Sequence, residues 1–335
     1  MALEMEVIKE AVAKLPAVVG RVPRKLGYVV NFSFHVWYKV VERYMRARAA
    51  QYGISDVALL DANQSLETEL KAMDRLIAEG VDALIITPVP AAALEQITER
   101  AAAAKIPLVI EANPVPGMAT MVAICDYDAG FKTGRWAGEY LKNQGVNTPS
   151  VLDIAYPLLR PCLLRSEGFL DGLRSVLPAT SLAERVNGEA RVDVAAGLTR
   201  GALTKNPGIN VVFAMDDESI HGGMEAVRAM NLRGEPPLMV GFGLAGDDDK
   251  ERLLEGGEGL LKASLAMFPE WVGVRCVDQA VRLYNGLPVK THDVVPTLPL
   301  TQQSLTTCFT RTHGGWVPDF AAIAKIPRED RCAKI

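Results

Sequence analysis

Short apolar runs alternate along the chain with longer segments whose apolar positions recur at helical spacing. Residues 26–31 read as a buried strand and 36–52 as the helix after it. A second strand is predicted at 57–61. Residues 66–79 then place Leu66, Leu70, Met73, Leu76 and Ile77 on one helical face. The rhythm continues with strand 83–87, alanine-rich helix 91–104, strand 107–110, strand 121–125, helix 129–143, strand 150–154 and helix 163–176. Helix 192–204, strand 210–214, helix 218–231, strand 238–242, short helix 248–254, strand 261–265 and helix 270–284 complete it. Such alternation predicts an α/β fold of doubly wound parallel sheets with right-handed crossovers. The strands are too many for one open sheet, and a change near 126–130 predicts two units. Residues 1–24 read as an added amphipathic helix that packs on the body.

A length of 335 residues agrees with two domains. Lysine plus arginine is 36 and aspartate plus glutamate 40, giving a net charge of −4 that argues against binding nucleic acid through general basicity. No apolar run approaches the roughly 20 residues needed to span a bilayer. Five scattered cysteines, with no CxxC and no cysteine–histidine cluster, exclude the common zinc and iron–sulfur spacings. Cys308 and Cys332 flank a Gly/Pro-containing segment; one disulfide between them and unpaired thiols both stay open. Residues 1–10 have neither a basic region nor an apolar core, so the chain is either cytosolic or a form whose export signal has been removed.

In doubly wound sheets ligands bind beyond the carboxyl ends of the strands. After the first strand come Asn31, Phe32, Ser33, Phe34, His35, Val36, Trp37 and Tyr38. Four aromatics in eight residues stand out in a chain only 6% aromatic, and with an amide and an imidazole they suit a ligand with an apolar face and a polar rim. The competing reading makes Phe32, Phe34 and one of Trp37 or Tyr38 core. Other strand ends offer Glu111, Asn113, Asp126, Asp216, Phe242 and Met267, whose acids and amides can hydrogen-bond hydroxyls. Asp217 is expected to cap the next helix, leaving Asp216 to face the ligand.

Gly241–Gly246 matches GxGxxG, but Asp247, Asp248 and Asp249 follow where a pyrophosphate would need the helix amino terminus. No GxxxxGK[ST], HExxH or GxSxG occurs, and His35, His221, His292 and His313 form no nucleophile–base pattern. No reaction, metal or cofactor is proposed by the residues.

Residues 25–61 resemble the opening of the type I periplasmic binding proteins, the ribose-binding-protein-like solute receptors of ABC importers. Residues 79–86, 104–109, 165–169, 212–217 and 240–242 are similar in order and spacing, so the likeness runs from about 25 to 290. It implies two Rossmann-like lobes joined by a three-strand hinge that closes on a ligand. Crossings are expected near Asp126, 265–266 and 295–297. The lobes would be 25–126 plus about 266–295, and 127–265 plus about 296–335, with 1–24 as a helical extension.

Carried over, the family's pocket falls on Asn31, Phe32, His35, Trp37, Tyr38, Asn113, Asp126, Arg165, Asp216, Phe242 and Met267. Asn113 stands where sugar receptors often have arginine, Ala112 where they often have aspartate, Asp216 at a usual asparagine and Gly243 at a common aspartate. The pocket arginine appears as Leu163 or is displaced to Arg160 or Arg165. Few arginines with retained acids favour a neutral polyol, an unusual sugar or an amino sugar over an anion. The resemblance further implies a monomer in the periplasm, with its leader removed, that delivers to a membrane permease and not to nucleic acid. Two alternatives share the fold. One is a sensor receptor serving a histidine kinase. The other is a LacI-type effector domain, which needs roughly 60 residues of helix-turn-helix and hinge before the first strand. An enzyme is the weakest reading.

Overall fold

The computed structural model describes residues 2–230, 232, 234–255, 259–329 and 332–334, with no side-chain description for 2–4. In chain order the elements are α1 (Ala2–Ala13), β1 (Lys25–Val30), α2 (Val36–Tyr52), β2 (Asp56–Asp61), α3 (Leu66–Ala78), β3 (Ala83–Ile86), α4 (Glu95–Ala104), β4 (Leu108–Glu111) and β5 (Met121–Ala123). Then come α5 (Asp126–Asn143), β6 (Ser150–Ala155), α6 (Arg160–Val176), β7 (Ser181–Asn187), α7 (Val192–Lys205), β8 (Val211–Ala214), α8 (Asp217–Ala229), β9 (Leu238–Gly243), α9 (Asp247–Leu254) and β10 (Leu261–Ala266). The remainder is α10 (Pro269–Tyr284), β11 (His292–Val294), β12 (Leu298–Leu300), β13 (Phe309–Thr312), β14 (Gly315–Pro318) and α11 (Phe320–Ile323).

Two compact units result. The first comprises 1–124, 268–295 and 309–325, the second 125–267, 296–308 and 326–335. The first is built on a parallel sheet in the order β11-β5-β4-β3-β1-β2. One face packs on α3 and α4 through Val29, Leu70, Met73, Leu76, Leu84, Ile86, Ile97 and Ile110, all buried. Leu70, Met73 and Leu76 are positions that the helical period singles out, Val29, Leu84, Ile86 and Ile110 lie in the apolar runs read as strands, and each such side chain contributes about 1.5–3 kcal/mol. Ser65 starts α3 by accepting from Thr68 N at 3.3 Å.

The second sheet runs β12-β10-β9-β8-β6-β7, parallel except for β12, which is antiparallel to β10. Helices α5 and α6 pack on each other so closely that a Cβ at Gly134 would overlap Phe169 O, and one at Gly168 would overlap Tyr127 O. Glycine is required there by contact, not by backbone angle.

Several expectations are corrected. Residues 309–325 belong with the first unit, because hairpin β13–β14 and α11 pack beside α1: Phe320 meets Tyr44 of α2 at 6.0 Å and Trp271 of α10 at 5.3 Å. The chain therefore changes unit two further times, after 308 and after 325, and Asp126, with residues 266 and 267, lies in the second unit. Only 2–13 of the amino-terminal segment is helical; the stretch after it is tied down by Arg48, wholly buried, which donates to Pro16 O at 2.7 Å and to Asp278 at 2.7 Å. Strand β7 was not legible as a strand. It is held at the sheet edge by Arg185, which pairs at 2.6 Å with buried Asp153 directly opposite on β6.

Cys332 bonds Cys125, not Cys308, with Cα atoms 5.0 Å apart, and Cys308 is buried outside that bond. The terminal segment returns to the start of α5, where Ala333 N donates to Asp128 at 2.9 Å and Lys334 lies 4.0 Å from the Tyr127 ring centre.

Candidate functional site

Parallel strands bring their carboxyl ends to one edge of each sheet, and backbone strain collects there. Among the described residues, the non-glycine positions with left-handed φ are Asn63 and Gln64 after β2, Ala93 after β3, Ala112 after β4, Glu189 and Ala190 after β7, Leu244 after β9 and Phe268 after β10. Lys105, which ends α4, is the exception. Conformations costing on the order of 1 kcal/mol or more each persist where surrounding structure holds them for another purpose. In each unit, the loops at this edge supply the candidate binding residues.

In the first unit, Asn31 is buried at the end of β1; its Oδ1 accepts from Phe32 N at 2.9 Å and its carbonyl accepts from Gln64 N at 2.8 Å. Phe32 gathers the aromatic cluster, meeting Tyr38 edge-on at 5.1 Å, Phe34 at 5.2 Å and His35 edge-on at 5.9 Å. Phe34 is 69% exposed, whereas Phe32, Trp37 and Tyr38 are half-buried, so the cluster is not simply core. His35 caps α2, its Nδ1 accepting from Trp37 N at 3.1 Å, which leaves the ring proton on Nε2. That cap orients Trp37 in the first turn.

Sequence reasoning missed Asp61. Its carboxylate accepts from Ser33 N at 2.7 Å and Asn63 N at 2.6 Å, fixing the aromatic loop from the neighbouring strand. Partial burial pushes this carboxyl up, but the hydrogen bonds from Ser33 and Asn63 outweigh it and hold it below its ordinary value. The signal available was an acid at a strand end followed by Asn63. Asn113 lies beyond β4, its Nδ2 donating to Pro88 O at 3.3 Å. Glu111 is buried beside it in sequence.

In the second unit, Arg165 of α6 organises the edge. Its Nε donates to Asp126 at 2.7 Å and its Nη1 to Met215 O at 3.2 Å, and its guanidinium carbon lies 4.9 Å from the Phe242 ring centre. Burial alone would lower the guanidinium; the Asp126 carboxylate reverses this and holds it firmly charged. Burial likewise raises Asp126 against the opposing pull of Arg165. Arg165 is thus brought to the strand ends already partnered by an acid. Phe242 is wholly buried and acts on the edge through Arg165. Met267 is 6% exposed, with its N–H bonded to Gly243 O at 3.1 Å. Burial pushes the Cys162 thiol, in the first turn of α6, up to about 12, which makes it a poor nucleophile.

The roles expected for the acid pair are exchanged. Asp216 has extended backbone angles and caps α8, accepting from Ser219 N at 2.7 Å. Asp217, the first helical residue, reaches instead to the loop after β9 and accepts from Leu244 N at 2.9 Å and Ala245 N at 3.1 Å. Gly243 has φ +134°, and a Cβ there would overlap the Asp217 carboxylate. The Gly246 N–H goes to Asp249 at 2.6 Å, while buried Lys250 donates to the carbonyls of Leu244, Ala245 and Gly246. The N–H groups of the GxGxxG stretch that a phosphate would need are therefore engaged by carboxylates.

Away from both edges, a cavity of about 530 Å3 lies between α1 and the β13–β14/α11 segment, lined by side chains such as Val7, Leu15, Val317 and Phe320. Among the described residues no three His, Cys, Asp or Glu side chains are grouped to hold a metal, and no helix is long and apolar enough to cross a membrane.

A periplasmic binding protein domain matches residues 26–288, most of the chain. The chain belongs to the periplasmic binding protein family. The ribose import binding protein of Bacillus subtilis is 26% identical over 282 residues, covering 83% of this chain and 87% of that protein. Two solved structures share the fold. An ABC transporter periplasmic solute binding protein from Actinobacillus succinogenes with bound D-allose superposes with a TM-score of 0.76 at 18% identity, covering 84% of this chain and 99% of its own. The periplasmic binding protein component of the arabinose ABC transporter from Shewanella sp. ANA-3, bound to L-arabinofuranose, gives 0.74 at 23% identity, with 84% and 93% covered. These relatives are solute-binding proteins and not enzymes.

Proposed function

We propose that this protein is the extracytoplasmic solute receptor of an ABC importer. It captures a sugar-like molecule, a neutral polyol, an unusual sugar or an amino sugar, when its two lobes close on it by hinge motion, and releases it unaltered to a membrane permease as a monomer. The observation that carries the reading is the pair of strand-end edges: one bears Asn31, Phe32, His35, Trp37, Tyr38 and Asn113, the other Asp126, Arg165, Asp216 and Met267. Aromatic faces suit the C–H face of a sugar ring, and amides and carboxylates suit its hydroxyls. Because Arg165 is already paired with Asp126, its charge is offset and does not by itself favour an anion. The ribose, D-allose and L-arabinofuranose in the relatives' names are neutral polyhydroxylated molecules. The Cys125–Cys332 disulfide supports an oxidising compartment.

A thermal-shift screen tests this. A neutral sugar, polyol or amino sugar is expected to raise the melting temperature in proportion to the logarithm of its concentration. Stabilisation by sugar acids or sugar phosphates alone would overturn the assignment of ligand class.

A further inference from the structure

We propose that Glu69 is a positioning residue of the first unit's strand-end edge: its carboxyl holds the peptide between Pro88 and Val89 and, through that peptide, the side-chain amide of Asn113. Glu69 lies on α3 and is wholly buried. Its Oε1 accepts from Val89 N at 3.2 Å, and Oε2 stands 3.5 Å from the same nitrogen. Pro88 O accepts from Asn113 Nδ2 at 3.3 Å. The Pro88 carbonyl and the Val89 N–H belong to one planar trans peptide and point in opposite directions. Fixing the N–H on one side therefore aims the carbonyl on the other, and the aimed carbonyl fixes how Asn113 turns its own oxygen. The chain of three hydrogen-bonding groups runs from a buried helix to a side chain named above as a ligand contact.

A carboxyl does this in a way an amide does not, because its charge changes. Burial pushes Glu69 up to about 7, opposed only by the Val89 N–H. Other charged groups on α3 and the elements packed against it are occupied elsewhere. Lys71 pairs with Glu67, Arg75 with Glu79, and Arg100 of α4 with Asp74. Lys25 of β1 pairs with Asp56 and Glu79, Asp61 of β2 accepts from Ser33 and Asn63, and Tyr28 meets Thr87. Glu95 and Glu99 of α4 are exposed. When Glu69 ionises it draws the Val89 N–H more strongly, polarises the shared peptide and makes Pro88 O a better acceptor for Asn113. Asn113 is thus held more firmly above neutral pH than below it.

The value of this hold for binding rests on the receptor reading above, but the test uses the ligand-free chain, so either can fail without the other. In nitrogen-15 NMR spectra from pH 5.5 to 8.5, the Val89 amide and the Asn113 side-chain amide are expected to titrate together with a midpoint near 7. In Glu69→Gln, which keeps the acceptor but cannot ionise, both titrations disappear while the signals stay close to those of the low-pH form. In Glu69→Leu the Val89 amide should exchange with solvent at least tenfold faster, with amides of the second unit unchanged. Titration of Asn113 that persists in Glu69→Gln, or its absence from the parent protein, would overturn the proposal. So would unchanged Val89 exchange in folded Glu69→Leu.

Discussion

Trp37 is half-buried in the first turn of α2, oriented by the His35 cap and set beside a ring cluster whose outermost member, Phe34, faces solvent. If it stacks on the ligand, Trp37→Ala weakens binding by about 1–3 kcal/mol, roughly fivefold to 150-fold in Kd by calorimetry, with the fold intact. An unchanged Kd would make it core. Glu69 gives a second prediction. Its folded value, about 7, lies above its ordinary 4.5, so the group is ionised in both states above pH 7 and bears its full burial cost there. That cost fades as pH falls towards 4.5. Glu69→Gln should therefore be more stable than the parent at pH 8, by up to about 3 kcal/mol, and show little advantage at pH 5 in urea denaturation. Greater stability of the parent at pH 8 would contradict the sign. At this scale the aromatic cluster could be located after β1 from the sequence because it is local, whereas the roles of Asp216 and Asp217 were misread by one position. Either acid can cap α8, and only the loop after β9, distant in sequence, decides that Asp217 is needed elsewhere.

The alternation of strands and helices was legible because buried parallel strands are continuous apolar runs, such as Ala83–Ile86, and their helices carry one apolar stripe, as α3 does. β7 escaped notice because an edge strand needs little apolar surface: Ser181, Glu184 and Arg185 interrupt it, and its place comes from the Asp153 pair. Hairpin β13–β14 was likewise hidden, its register set by cross-strand partners and not by a repeated pattern. The α5–α6 contact carries the arginine to its acid, since Arg165 and Asp126 meet only when backbones touch at Gly130 and Gly168. Gly134→Ala, one turn further on, forces the helices apart without altering either charged residue. It should cost about 2–3 kcal/mol in chemical denaturation and weaken sugar binding by displacing Arg165. Unchanged stability would show that the two helices can move apart freely.

Across the whole chain, the family likeness implies discontinuous lobes with the last residues in the second, whereas the return of 309–325 to the first unit did not follow from it. Nothing local in the sequence says which cysteine the last segment reaches; that depends on the path of some 200 residues between Cys125 and Cys332. Closing so long a loop restricts the unfolded chain, so Cys332→Ser is expected to lower stability by about 2–5 kcal/mol. The same loss should follow reduction of the parent protein, and a stability insensitive to reductant would contradict it.

The central claim is that the chain holds a small polyhydroxylated molecule without negative charge and does nothing else to it. Equilibrium dialysis of the purified protein against a pooled set of sugars, polyols, amino sugars, sugar acids and sugar phosphates, with mass spectrometry of what is retained, tests it most directly. The account predicts one molecule retained per chain, uncharged or carrying an amine, and recovered at its original mass. Retention of an acid or phosphate in its place, or recovery of a solute with altered mass, would contradict it.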